Sequence, residues 1–327
     1  WPCCLSLYTT RVMPLLSGGG KTQWIITGLF LLFSFFIVTM TEVALPAMVI
    51  FPGLYCLYAE KIPVRSHLWV AVIPLVLAVV PAMRFGVLMY GALLVTGIIM
   101  QMLLRKGHAG LAVALPTILF FSLFVLAVVS IARQESLNFQ GVLSQWAARI
   151  LDEVQVIYQG VLSQQDMADF RTSRPVLQER IAIMFPSIVL TSTATMLWVN
   201  LLIVSRAFKN IVLSAWKAPD WVVAVFIIAS ILTLVEYQPA HVIGLNLLIS
   251  VGQIYFFQGL AIVACFMNER RWPGFIRWPL YILVLIQIYI MIVVAGLGLF
   301  DTWFDFRRKL EIWKAARDQA RNSGGDA

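Results

Sequence analysis

GLAVALPTILFFSLFVLAVVSIA, residues 110–132, holds no charged side chain, and Pro116 is its one helix breaker. A run of this length fills the hydrocarbon core of a bilayer, which takes about 20 apolar residues per helix. Apolar stretches of the same kind recur at 24–41, 43–59, 67–83, 85–104, 184–205, 221–237, 242–267 and 278–300. None alternates strictly between apolar and polar residues, so a transmembrane β-barrel is excluded. Helices remain, because a backbone amide in lipid must be satisfied within its own segment. The fold class that follows is all-α: a polytopic transmembrane helix bundle of about nine spans, in two blocks split by an amphipathic helical insert.

Composition agrees. Apolar residues make up 61% of the chain and charged residues 12%, where a soluble domain carries roughly 25% charged. The formal net charge of +8 does not point to nucleic acid, because the bases sit in short loops and no Lys/Arg-rich arm exists to follow a phosphate backbone. Lys61 and Arg65, Arg105 and Lys106, Lys209 and Lys217, and Arg270, Arg271 and Arg277 all fall on one side of a nine-span chain. Basic short loops mark the cytoplasmic side, so the N-terminus is expected in the cytoplasm of a bacterial inner (plasma) membrane. The tail conflicts with this. Nine spans put it outside, yet it carries Arg307, Arg308, Lys309, Lys314, Arg317 and Arg321. Either 278–300 breaks at Gly296 and Gly298 without crossing, or the mixed-charge tail translocates; the nine-span reading is kept.

The segments are then 1–23, cytoplasmic; 24–133, the first membrane block; 134–183, an extracytoplasmic insert; 184–300, the second block; and 301–327, a charged helical tail. Met13 is expected to be the natural start, with 1–12 upstream of it. In the insert, Leu143, Ala147, Ile150, Val154, Ile157 and Val161 form one apolar stripe at helical spacing. That helix lies on the outer leaflet, covers the bundle as a lid, or merely packs on the loops. Pro175 is expected to end or kink it before the next span. Proline also interrupts spans at Pro46, Pro52, Pro74, Pro81 and Pro116.

Catalytic and metal motifs are missing: no HExxH, no GxSxG, no P-loop, and no paired Cys or His at ligand spacing. Cys3, Cys4, Cys56 and Cys265 read as apolar fillers. The reading is therefore no enzyme, no cofactor and no metal, with the lipid bilayer as first partner. Ionisable groups at membrane depth are the default functional candidates, and the sequence offers Glu42, Arg84, Glu236 and His241 near span ends. Deeper lie two polar faces. Asn246, Ser250 and Gln253 share one helix face with Phe257; Ser187, Thr191 and Thr195 share another, with Asn200 further along. Two readings stand for them. Asn200, Glu236, His241, Asn246 and Gln253 would line a small-solute site, or the same residues are hydrogen-bonding glue between helices. Asp301 and Asp305, a turn apart, with Arg308 three residues on, read as an ion pair where the last span leaves the membrane.

Gly244-Leu245-Asn246-Leu247-Leu248, Tyr255-Phe256-Phe257-Gln258-Gly259-Leu260 and the run from Gly298 through Asp301, Trp303 and Asp305 to Arg308 resemble the YybS-like family of bacterial membrane proteins, clearest over 184–310. That family carries a domain of unknown function, so the resemblance implies location more than activity. It also implies a distant similarity to the solute-binding membrane subunits of energy-coupling-factor transporters. This chain departs from them in span number and in lacking Ala-xxx-Ala in its first span. Two functions are carried forward: binding or moving a small solute, and a non-transporting scaffold that docks a membrane protein partner through 133–183 and the tail.

Overall fold

Where proline and extended residues fall decides how far each apolar stretch runs as helix. The computed structural model describes residues 20–40, 43–161, 163–205, 207–208, 211, 213–270, 272–306 and 308–309. Met13, Glu42, Arg307 and the tail past residue 309 lie outside the described residues. The helices are α1 (Gly20–Thr39), α2 (Leu45–Lys61), α3 (Val64–Val76), α4 (Arg84–Arg105), α5 (Ala109–Gln134), α6 (Phe139–Tyr158), α7 (Gln164–Val204), α8 (Val222–Leu234), α9 (Gln238–Glu269), α10 (Gly274–Ile286) and α11 (Ile288–Phe304). Each of the nine apolar stretches is helical over most of its described length.

Nine full crossings are not what the lengths support. Among the described residues, five helical stretches are long and apolar enough to span: Thr22–Thr39, Pro81–Arg105, Ala109–Gln134, Gln164–Val204 and Gln238–Glu269. A sixth exists if the bent pair α10–α11 is one span. The shortfall has local causes. Helix α3 gives way to two 3₁₀ turns, Leu77–Val79 and Pro81–Met83, separated by extended Val80. Helix α8 stops at Leu234, where Val235 turns extended. The last stretch breaks at extended Gln287, with a bend of 101°. Gly296 and Gly298, where the break was expected, lie inside unbroken α11.

Pro175 likewise ends nothing. Helix α7 runs unbroken through Pro175 and Pro186 for 41 residues. Neighbours hold it across the weakened rungs: Arg174 pairs with Asp152 on α6 at 2.5 Å, and Gln178 donates to the Ser144 carbonyl and hydroxyl at 3.2 and 2.9 Å. A lost backbone bond in one helix is tolerated when adjacent elements fix the segment.

The chain forms two compact units that interleave in sequence. One is drawn from Trp1–Pro116, Ala194–Ala218 and Phe257–Ala327, the other from Thr117–Thr193 and Pro219–Phe256. In the first, α1 to α4 pack around Phe51, Tyr55, Tyr58, Val70, Tyr90 and Leu93. Gly97 admits the Tyr55 ring, since a Cβ there would sit 2.8 Å from Tyr55 Cδ1. The buried Tyr90 hydroxyl donates to the Val70 carbonyl at 2.6 Å. In the second unit, Leu143 and Ala147 of α6 pack with Val128 and Ala132 of α5 and Ala182 of α7. The amphipathic stripe of α6 is thus buried in its first half. Its continuation, Ile150, Ile157 and Val161, is 41%, 69% and 76% exposed.

Candidate functional site

Among the described residues, Asn and Gln side chains of the apolar helices build three junctions. Asn200 makes the first. Its side chain is fully buried. Its Oδ1 accepts from the Gly53 N–H at 2.7 Å, and its Nδ2 donates to the Val49 carbonyl at 2.7 Å and to Met196 of its own helix at 2.8 Å. Val49 and Gly53 are the two ends of one rung of α2, immediately after Pro52. Proline lacks an N–H and its ring crowds the carbonyl four residues back, and the asparagine amide supplies a matched donor and acceptor beside that weak point. The approach is close: a Cβ on Gly53 would lie 2.7 Å from Asn200 Oδ1 and 3.4 Å from Asn200 Cα.

Asn246 makes the second junction on α7. Its Oδ1 accepts from the Ser187 N–H at 2.8 Å, and its Nδ2 donates to Ile183 and Val242 carbonyls at 2.8 Å each. Further along the same helix pair, Gln253 Nε2 donates to the Thr191 carbonyl at 2.6 Å. Both bonded positions advance together, so α7 and α9 run parallel here. The two polar faces read from the sequence do meet, and hydrogen bonds to backbone join them. The hydroxyls turn inward on their own helices: Thr191 donates to Ser187 and Ser250 to Asn246, each at 2.7 Å.

The third junction is Gln258 with Asp301, both fully buried. Gln258 Oε1 accepts from the Ala218 N–H at 3.1 Å, and its Nε2 donates to Asp301 Oδ2 at 3.2 Å. Asp301 Oδ1 accepts from the Phe306 N–H at 2.9 Å, closing the end of α11. Asp305 follows as a left-handed cap with φ 44°, and Arg308 is exposed. Ion pairs among the described residues join Arg105 to Glu60 and Arg174 to Asp152. Arg277 shows another use of charge: its guanidinium donates to the Trp272 and Met267 carbonyls and to Asn268 Oδ1, closing the C-terminal end of α9.

Of the five residues expected around a solute, Asn200 belongs to the first unit and the other four to the second. Glu236 is exposed in the turn after α8. His241 Nδ1 lies 2.7 Å from the Thr233 carbonyl in the first turn of α9. Gly244 allows that hairpin to close, since a Cβ there would lie 2.6 Å from Thr233 N. No three of His, Cys, Asp and Glu converge among the described residues. Sequence reasoning found the asparagines and Ser187 but not Gly53; the signal was a small residue directly after an in-span Phe-Pro.

The family model that covers this arrangement runs over residues 25–302. The chain belongs to the family of predicted membrane proteins DUF2232. The match encloses all three junctions and stops short of Asp305 and Arg308. The DUF2232 description carries no activity, and no curated protein and no solved structure matches the chain.

Proposed function

We propose that this membrane protein is a non-transporting helical scaffold that docks a partner protein. One observation carries the reading: the amides of Asn200 and Asn246, the best candidates for solute contacts, are bonded to the backbone of neighbouring helices. An amide whose donor and acceptor both serve the fold has little left to recognise a solute. The partner-facing element in this proposal is the α6–α7 hairpin, whose apolar stripe becomes exposed toward Val161. The competing reading, a solute-binding protein similar to energy-coupling-factor subunits, retains Glu236 and His241.

The proposal extends to orientation and kinship. Glu60 and Arg105 bond at 2.6 Å, which brings the basic turns after α2 and α4 to one end of their unit. That grouping supports a cytoplasmic basic face in a bacterial plasma membrane, with the N-terminus on that side. Kinship with YybS-like proteins rests on residues 244–248, 255–260 and 298–308 and stands as part of the same proposal.

Two measurements test the function. Asn246→Leu and Gln253→Leu are expected to lower unfolding stability, and native mass spectrometry in mild detergent is expected to show a second polypeptide. A bound small molecule of defined mass, lost in both leucine variants while they stay folded, would overturn the scaffold reading.

A further inference from the structure

The Asn200 and Asn246 junctions are the same object built twice. In each, an asparagine Oδ1 accepts the N–H of the residue just after a proline, its Nδ2 donates to the carbonyl four residues before that N–H, and Nδ2 also donates to its own helix four residues back. The three distances are 2.7, 2.7 and 2.8 Å at Asn200, and 2.8 Å each at Asn246. The sequence repeats with the geometry. Phe51-Pro52-Gly53 answers Phe185-Pro186-Ser187, and Asn200-Leu201-Leu202-Ile203 answers Asn246-Leu247-Leu248-Ile249. One copy lies within each compact unit.

We propose that these are twin proline hinges, in α2 and α7, each held by a releasable asparagine splint. A proline weakens its helix at one rung and bends it there. A backbone rung could restrain the next turn only as part of the helix itself. A side-chain amide restrains it from outside, and rotation about the asparagine's own bonds removes the restraint without unwinding either helix. The bond from Nδ2 to its own helix fixes the amide in the bridging orientation, so each splint has a defined closed state. Two packed arrangements of one element, separated by a few hydrogen bonds, are the raw material of a conformational switch. The hinges stand whether the chain proves to be a scaffold or a carrier.

Double-mutant cycles on the full chain in mild detergent test this. Asn200→Leu is expected to reduce the folding equilibrium constant about tenfold, in line with two interhelical bonds in a membrane protein. In a Pro52→Ala background, where the helix regains its own rung, the same substitution is expected to cost less than about threefold. Asn246→Leu should couple to Pro186→Ala in the same way, while Asn200 with Pro186 and Asn246 with Pro52 should be additive. Equal losses in both backgrounds would overturn the splint. If a leucine variant does not fold, Asn→Ser, too short to bridge both groups, takes its place in the cycle. Motion is read separately, with spin labels at Val176 and Leu202 of α7, which are 52% and 51% exposed. Asn246→Leu is expected to broaden their distance distribution and Asn200→Leu to leave it unchanged. No broadening, or equal broadening in both variants, would make the junctions fixed packing and end the hinge proposal.

Discussion

Gly53→Ala probes the closest approach at the Asn200 junction. The added methyl would lie 2.7 Å from Asn200 Oδ1, 3.3 Å from its Cβ and 3.4 Å from its Cα. The oxygen cannot swing aside cheaply, because it is the acceptor for Gly53 itself and the same amide is tied to Val49 and Met196. The third neighbour of the methyl is a backbone atom of Asn200, so the 194–204 segment must shift by some tenths of an ångström. Overpacking of this kind costs about 1–3 kcal/mol, and a weakened interhelical bond adds about 0.6 kcal/mol. Against this stands the better helix propensity of alanine, about 1 kcal/mol. The net expectation is a loss of roughly 0.5–2.5 kcal/mol. Gly91→Ala, in the same unit, is the matched control: nothing lies within 4 Å of its Cβ position, so only the propensity gain of up to about 1 kcal/mol applies. Reversible unfolding in mixed micelles reads both. The two variants should move in opposite directions, and Gly53→Ala matching or exceeding the stability of Gly91→Ala would refute the close-approach argument.

Asp301→Leu leaves the Phe306 N–H and Gln258 Nε2 without their acceptor, at about 1–3 kcal/mol for each buried group; Asp301→Asn keeps one acceptor and should cost clearly less by thermal denaturation, and equal losses would count against a buried role. Glu60→Gln should shift stability by less than about 1 kcal/mol, because its partner Arg105 is 55% exposed and such pairs contribute little; a larger loss in a denaturant titration would mark the pair as buried in the membrane-embedded state. Single cysteines replacing Lys106 and Lys309, in a cysteine-free background, should react with an impermeant thiol reagent from the same side of the membrane; reaction from opposite sides would show that α10–α11 crosses.

The helical class and all nine apolar stretches were legible because the period and length of apolar runs depend on local sequence alone. Their lengths as helices were not. Whether a proline ends a helix depends on what lies beside it: Pro175 is passed over because α6 holds both flanks, while an ordinary residue, Gln287, carries the sharpest break. The asparagines were legible as buried polar groups. Their role was not, because the Asn200 bond to Gly53 joins residues 147 positions apart and the Asn246 bond to Ser187 joins residues 59 apart. The bond of Asp301 to Gln258 was hidden for a related reason. Spacing shows Asp305 one turn away, but not Gln258, which is 43 positions away in sequence.

We propose that the chain returns to the side of its basic turns before the tail begins, and contacts within one unit support this. Glu60 with Arg105 sets the ends of α2 and α4 together. Gly110 sits against the Trp216 indole, which brings the loop after α7 to the start of α5, beside Lys106. From that loop, Ala218 reaches Gln258, and Gln258 reaches Asp301 at the end of α11. Ala218 follows Lys217 and Asp301 lies shortly before Arg308, and Gln258, inside α9, joins the two. A helix pair bent by 101° at Gln287 can enter from the basic face and return toward it, which a straight span could not do. Contacts within one unit thus lead from Lys106 to Arg308 and Lys309, and the proposed orientation would set these basic residues on one side of the membrane.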